Sequence, residues 1–316
     1  MRRVILPEWW EDKLAEVPAN RALAEGRIAK HLDVPLKVLR DPRQPLSFAL
    51  ANRPRFKHNK GASPDELTAA ALVANRAAGI ATRYARDLPP FPGSYSVDVI
   101  RDEIIVGGNR VNLDSLLEYC WRKGIFVLHL KNLPDRSKKF DAMAMFCGQT
   151  PVIVLASGKD GPPWLAFHLA HDLAHVILKH VRPGSSPITD ADLGEVDEEA
   201  DEQAANRFAK ELLEGQVPPR VPPVTGTTAN RLADQARASE FCHRGLDSGS
   251  FVMAFAFDAH GRNENRWAVA QAALKALGLN AGGHEKINDH VRKHLAHDEM
   301  PESSARFLEG VLSANG

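Results

Sequence analysis

Cysteine is nearly absent: the 316 residues hold three, Cys120, Cys147 and Cys242, and no two share a CxxC spacing. That excludes a disulfide framework and a thiolate metal cage, and so sparse a count fits a reducing cytosol. No apolar run approaches the roughly 18 residues a membrane-spanning helix needs. The opening Met1-Arg-Arg-Val-Ile-Leu-Pro-Glu8 has only three apolar residues before Pro7, too few for a signal peptide. A cytoplasmic chain with no membrane partner is expected. Net charge is also missing, since Lys+Arg and Asp+Glu both number 40, so bulk charge points to neither nucleic acid nor membrane. There are no internal repeats and no long low-complexity segment. What remains is an ordinary globular composition, 44% hydrophobic and 25% charged, in a chain long enough for two domains and a sizeable core.

The most informative stretch is Trp164-Leu-Ala-Phe-His-Leu-Ala-His-Asp-Leu-Ala-His-Val-Ile-Leu-Lys-His180. At helical period it is apolar almost all the way round, as in a core helix, except for one sector holding His168, His171, Asp172, His175 and Lys179. Buried polar groups need partners. His171 and His175, four apart, can bring two imidazoles to one ion, as HExxH helices do for zinc, although the acid between them here is Asp172. His180 falls off this sector. Spacing alone is weak, because the 13 histidines would give about half of one HxxxH pair by chance. A second pair, His290-Val-Arg-Lys-His294, has cations between its histidines and no apolar helix around it, and reads as a solvated helix face. The bland reading of His171 and His175 is two hydrogen-bonded core histidines, and a third ligand decides against it.

That ligand lies in Asp197-Glu-Glu-Ala-Asp-Glu-Gln-Ala-Ala-Asn-Arg-Phe-Ala-Lys-Glu-Leu-Leu213. Ala205, Ala209, Leu212 and Leu213 share a helix face that Glu202 heads. A carboxylate on a buried stripe costs several kcal/mol unless an opposite charge meets it. A zinc ion on His171 and His175 is such a charge. Glu198, one turn earlier, is the alternative ligand, while Glu199 and Asp201 point further away and suit the helix N-terminus as dipole-favouring acids. Two histidines, one glutamate and an open fourth position make the pattern of a catalytic zinc site.

Here the chain resembles the ImmA/IrrE metallopeptidases of bacteria and their phages. The resemblance rests on Phe167-His-Leu-Ala-His-Asp-Leu-Ala-His175 and Glu202-Gln-Ala-Ala-Asn-Arg-Phe-Ala-Lys-Glu-Leu-Leu213, and covers about residues 110–250. It implies zinc held by His171, His175 and Glu202, with the family's catalytic glutamate mapping onto Asp172. It also implies a gluzincin-like helix pair and proteolysis of a transcriptional repressor under stress. Asp172 departs from the family pattern, as does His168, which stands where a small hydroxyl residue is usual.

The expected fold is α+β: a mainly helical chain with a small antiparallel sheet beside the zinc helices. Ile125–Leu130, Ala142–Cys147 and Pro151–Ala156 read as strands, the last two joined across Gly148-Gln-Thr, with an exposed edge open to an extended peptide. Four regions are expected: a helical regulatory region over 1–60, a helical linker region over 61–109, the metallopeptidase core over 110–215, and a Pro-rich spacer with an α-rich region over 216–316. Residues 1–60 carry 13 Lys/Arg against 7 Asp/Glu, with Trp9 and Trp10 as packing anchors. Within them, Ile28–Leu39 resembles a helix-turn-helix whose second helix offers only Lys37 and Arg40 to DNA, where base readers want Arg, Asn or Gln. Residues 53–64 read as a basic linker.

The chemistry expected is metal-assisted hydrolysis of a protein, with Asp172 taking a proton from the attacking water. Its carboxylate stands one carbon–carbon bond, about 1.5 Å, nearer the backbone than a glutamate's. A misplacement of roughly 1 Å can cost about 100-fold in rate. His168, one turn before His171, is a candidate hydrogen-bond partner behind the ligands, and Cys147, on a nearby strand, a candidate cap for the open position. The competing reading is a catalytically weak zinc-fold module that binds DNA or a partner protein.

Overall fold

Gly161 followed by Pro162 and Pro163 starts the metal helix: proline at the first helical positions gives up amides that would have had no partner. That helix, Pro162–Ile177, is the centre of an α+β fold. The computed structural model describes residues 5–6, 9–32, 34–41, 55–57, 64–106, 109–133, 140–183 and 195–313, and at 55–57, 64–69 and 195–198 the backbone alone. In chain order, a 3-10 turn over Asp12–Glu16 leads to α1 (Pro18–Leu32) and α2 (Leu36–Arg40). Then come β1 (Arg55–Lys57), α3 (Pro64–Arg83), α4 (Val97–Ile105), α5 (Leu113–Arg122) and β2 (Phe126–His129). The hairpin β3 (Ala142–Cys147) and β4 (Thr150–Leu155) precedes α6 (Pro162–Ile177) and α7 (Glu195–Glu214). The chain ends in α8 (Ala229–Cys242), α9 (Ser248–Gly261), α10 (Trp267–Ala276), α11 (Gly283–Lys293) and α12 (Glu302–Leu312).

The strands form one sheet in the order β1-β3-β4-β2. It is mixed, which corrects the expected antiparallel sheet: β3 pairs β4 antiparallel, but β2 pairs β4 in parallel, Phe126 opposite Val152 and His129 opposite Leu155. The tight turn at Gly148 (φ 62°) obliges β3 and β4 to run antiparallel. Between β2 and β3 the connection is long enough to carry the chain past β4, which leaves β2 and β4 in the same direction. Strands apolar on both faces, as β2, β3 and β4 are, belong to a sheet covered on both sides. Ala142, Ala144, Phe146, Ile153 and Leu155 face α6 and α7, while Met143, Met145, Val152 and Val154 face α3, α11 and α12.

Beyond β3 lies β1, paired antiparallel with Ala142–Ala144 in the stretch read as a linker. At the other edge, Asn288 of α11 accepts the His129 amide at 3.1 Å and donates to the Leu312 carbonyl at 2.8 Å. In the N-terminal region, Val34 and Val38 pack on Ala71 and Leu72 of α3. Of the two tryptophans, Trp10 is buried but Trp9 is 65% exposed, so a single anchor serves.

Backbones crowd the first turn of α6. A Cβ on Gly283 would come within 2.5 Å of Leu165 Cδ1 and 2.8 Å of the Asp160 carbonyl, and one on Gly249 within 2.3 Å of Pro163 Cγ. Asp160 accepts the Gly282 and His284 amides at 2.9 and 2.7 Å, tying α11 to the entry of α6. At the far end of α7, the buried Arg101 guanidinium donates to the Leu212 carbonyl and, at 2.9 Å, to the Arg244 carbonyl. Hydrogen bonds from a charged donor contribute roughly 1.5–3 kcal/mol each. Arg101→Met should therefore lower unfolding free energy by about 2–4 kcal/mol in a denaturant titration, and a loss under about 0.5 kcal/mol, the range of ordinary surface changes, would show that the clamp is not used.

Candidate metal centre

The face of α7 that meets α6 is apolar up to one residue. Ala205, Ala209, Leu212 and Leu213 are buried against α6, as the helical period requires, and Glu202 brings its carboxylate to the helix carrying His171 and His175. His171 Nε2 lies 3.2 Å from Glu202 Oε2, His175 Nε2 lies 3.2 Å from Glu202 Oε1, and the two Nε2 atoms are 3.2 Å apart. His171, His175 and Glu202 are the one group of three potential ligands found close enough to hold an ion among the described residues. Both imidazoles are buried, and Glu202 keeps about a third of its side chain in contact with solvent.

The outer nitrogens fix the tautomers. His171 Nδ1 stands 3.2 Å from Asn206 Oδ1, an acceptor, so the proton sits on Nδ1. His175 Nδ1 lies 3.0 Å from His180 Nδ1, and His180 Nε2 lies 3.2 Å from Asp201 Oδ1. A carboxylate only accepts, so His180 donates from Nε2 to Asp201 and accepts from His175 at Nδ1. Both inner nitrogens then present lone pairs to each other and to a carboxylate. Four acceptors crowded this way repel unless a cation joins them. For bonds of about 2.0–2.1 Å, the zinc–imidazole length, the edge of a ligand tetrahedron is about 3.3 Å, close to the 3.2 Å separations found. The donor set fits zinc.

The pattern of the sequence missed the groups behind the ligands. His180 was set aside because it leaves the helical sector, yet α6 has ended before it. Lys179 takes a left-handed conformation (φ 62°) and the His180 amide bonds back to the His175 carbonyl at 2.9 Å, which folds the His180 ring against His175. A possible helix end before a histidine was the available signal. Asp201, read as a simple helix N-terminal acid, is the partner of His180. Asn206, one helical turn after Glu202, lay in the motif without a role. The side chain of Glu198, the alternative ligand, lies outside what is described.

Other candidates go elsewhere. Asp172 is buried beside the ligands on α6. His168 is buried too, stacked on Trp164 (ring centroids 5.8 Å, interplanar 15°) and edge-on to Phe167. Trp164 in turn stacks on Trp267 at 5.0 Å and lies under Lys159 Nζ at 3.4 Å. Cys147 packs with the α3 side of the sheet, away from α6, and burial raises its thiol to about 11, so it does not cap the centre. His290 and His294 are not a solvated face: both are half-buried, and burial pushes His290 down to about 4. Lys37 is exposed, while Arg40 donates to Glu25 Oε2 at 2.7 Å.

With this geometry in hand, residues 120–213 match the family model described as the IrrE N-terminal-like domain, peptidase M78. The match runs from the end of α5 through the sheet to the last turn of α7, and so holds all three candidate ligands. No curated protein and no solved structure matches the chain.

Groups that orient metal-bound histidines typically contribute about 10–100-fold to affinity. His180→Phe and Asn206→Leu should each weaken zinc binding by about that factor in a competition titration against a chromophoric chelator. Glu202→Gln should lose more and should abolish the drop in melting temperature that a chelator causes in the parent, because bound metal stabilises by mass action. Unchanged zinc content in a His171→Ala, His175→Ala, Glu202→Ala triple variant would refute the assignment.

Proposed function

We propose, from the match of residues 120–213 to the IrrE N-terminal-like domain of the M78 peptidases, that the chain is a zinc-dependent endopeptidase. Its substrate is a cytosolic protein, a transcriptional repressor, and its setting a stress or mobile-element response. The observation that carries the reading is the convergence of His171, His175 and Glu202 with every inner atom an acceptor. When bound, zinc supplies Lewis acidity at the open fourth position.

The chain's own residues do the rest. Asn206 holds His171, and the His180–Asp201 pair holds His175, so that both rings stay in the tautomer that ligates. Asp172, next to His171 on the buried face of α6, is the base: it takes the proton of the attacking water and passes it to the leaving amine. The missing methylene shortens its reach and makes turnover slow. His168 lies with the aromatic rings of Trp164 and Phe167 and supports the helix from behind.

A second reading keeps the zinc and drops the catalysis: a regulator that binds DNA or a partner. The short acid at 172 favours it, and within it Lys37 and Arg40 would touch phosphates, with Arg40 first giving up its ion pair to Glu25. Asp172 separates the two readings. Asp172→Glu should raise turnover at least about tenfold, given that a 1 Å misplacement costs about 100-fold, and Asp172→Asn should abolish it with zinc still bound. If Asp172→Asn cleaves as fast as the parent, the acid is not the base. If neither the parent nor Asp172→Glu cleaves candidate repressors, with or without DNA present, the regulator reading stands instead.

A further inference from the structure

A second pair of histidines repeats the first. His290 and His294 are four apart at the end of α11, their rings 4.7 Å apart at 62°, against 5.0 Å and 68° for His171 and His175. Both Nε2 atoms are buried, and neither has a hydrogen-bond partner. Leaving such an atom unpaired costs about 1–3 kcal/mol. Both rings line one cavity of about 10 Å3, walled otherwise by Leu117, Trp121, Ile125, Phe126, Val127 and Val291. That is room for one small ion or one water molecule.

The cations that appeared to forbid a metal are turned away. Arg292 donates to Glu309 at 3.1 Å and to Asp289 at 3.0 Å, and Lys293 is exposed. On the outer side of His290, Glu118 Oε1 lies 3.6 Å from Nδ1, beyond hydrogen-bond reach, so that its charge alone favours a proton on that nitrogen. His294 is held by stacking on Trp121, with ring centroids 3.9 Å apart.

We propose that His290 and His294 form a second metal site, for one copper(I) ion bound between the two Nε2 atoms. The donors choose the ion. Imidazole suits both zinc and copper, but zinc is almost always four-coordinate, and the other side chains lining this cavity of about 10 Å3 are apolar, save for the Trp121 indole N–H, a donor that cannot ligate a metal. A monovalent d10 ion accepts two-coordinate, near-linear binding. Its single charge also costs less to bring into an apolar wall than a divalent ion's.

The test uses the full chain with Cys242→Ser, since Cys242 is exposed and would compete for the ion. The chain, first loaded with zinc so that His171, His175 and Glu202 do not compete, is titrated anaerobically with copper(I) delivered as its acetonitrile complex. After buffer exchange the parent should retain about one copper that His290→Gln and His294→Gln each lose, with melting temperatures of the metal-free variants confirming the fold. Because Trp121 covers His294, copper should quench tryptophan fluorescence, and Trp121→Phe should lose that quench. A His171→Ala variant should still take the copper, so failure of the His171 centre and failure of this one are separate results. No retained copper in the parent means that the cavity holds water, and equal retention in both Gln variants places the ion elsewhere. Either result overturns the site.

Discussion

The structure turns on four hydrogen-bond acceptors pointed at one another: two imidazole nitrogens of α6 and the two oxygens of Glu202 on α7, at separations of 3.2 Å. Such an arrangement is unstable alone and stable around a cation. The surrounding fold places it. The sheet supports α6 along one face, Asp160 ties α11 to the start of α6, and Arg101 fastens the last turn of α7. The two helices are thus fixed at the start of α6 and the last turn of α7, and an ion held by the candidate ligands would join them between those points.

The centre was legible in the sequence because helical period carries it. His171, His175 and Glu202 each interrupt an apolar face, and an interrupted apolar face needs a physical reason. The groups that orient the ligands were less legible. His180 comes into place through one left-handed residue, Lys179, and a wheel projected beyond the true end of the helix sends it the wrong way. Pairing in the sheet was harder still. The strand segments of β2, β3 and β4 were recognisable from their apolar content, but nothing in that content states that β2 passes β4 to pair from its far side. The coverage of both faces was the clue, since none of these strands alternates with polar residues. The burial of His290 and His294 was hidden for a related reason: Arg292, their neighbour in sequence, reaches away from them to Glu309.

The N-terminal region sits apart from the chemistry. Val34 and Val38 rest on α3, and His31 stacks on Phe307 of α12. These contacts are on the side of the sheet opposite α6. No helix among the described residues is long and apolar enough to cross a membrane.

The crowding at the entry to α6 has a consequence for how the protein tolerates change. Gly249 and Gly283 carry no functional group, yet a single methyl on either would collide with Pro163 or Leu165 on the helix that bears the ligands. The collision is absorbed most easily by sliding that helix along its axis. A shift of a few tenths of an ångström there appears again at His171 and His175, two to three turns on. A screen for loss of activity would therefore score these two glycines alongside the metal ligands, and a reader of such a screen alone would assign chemistry to positions whose whole contribution is to leave room.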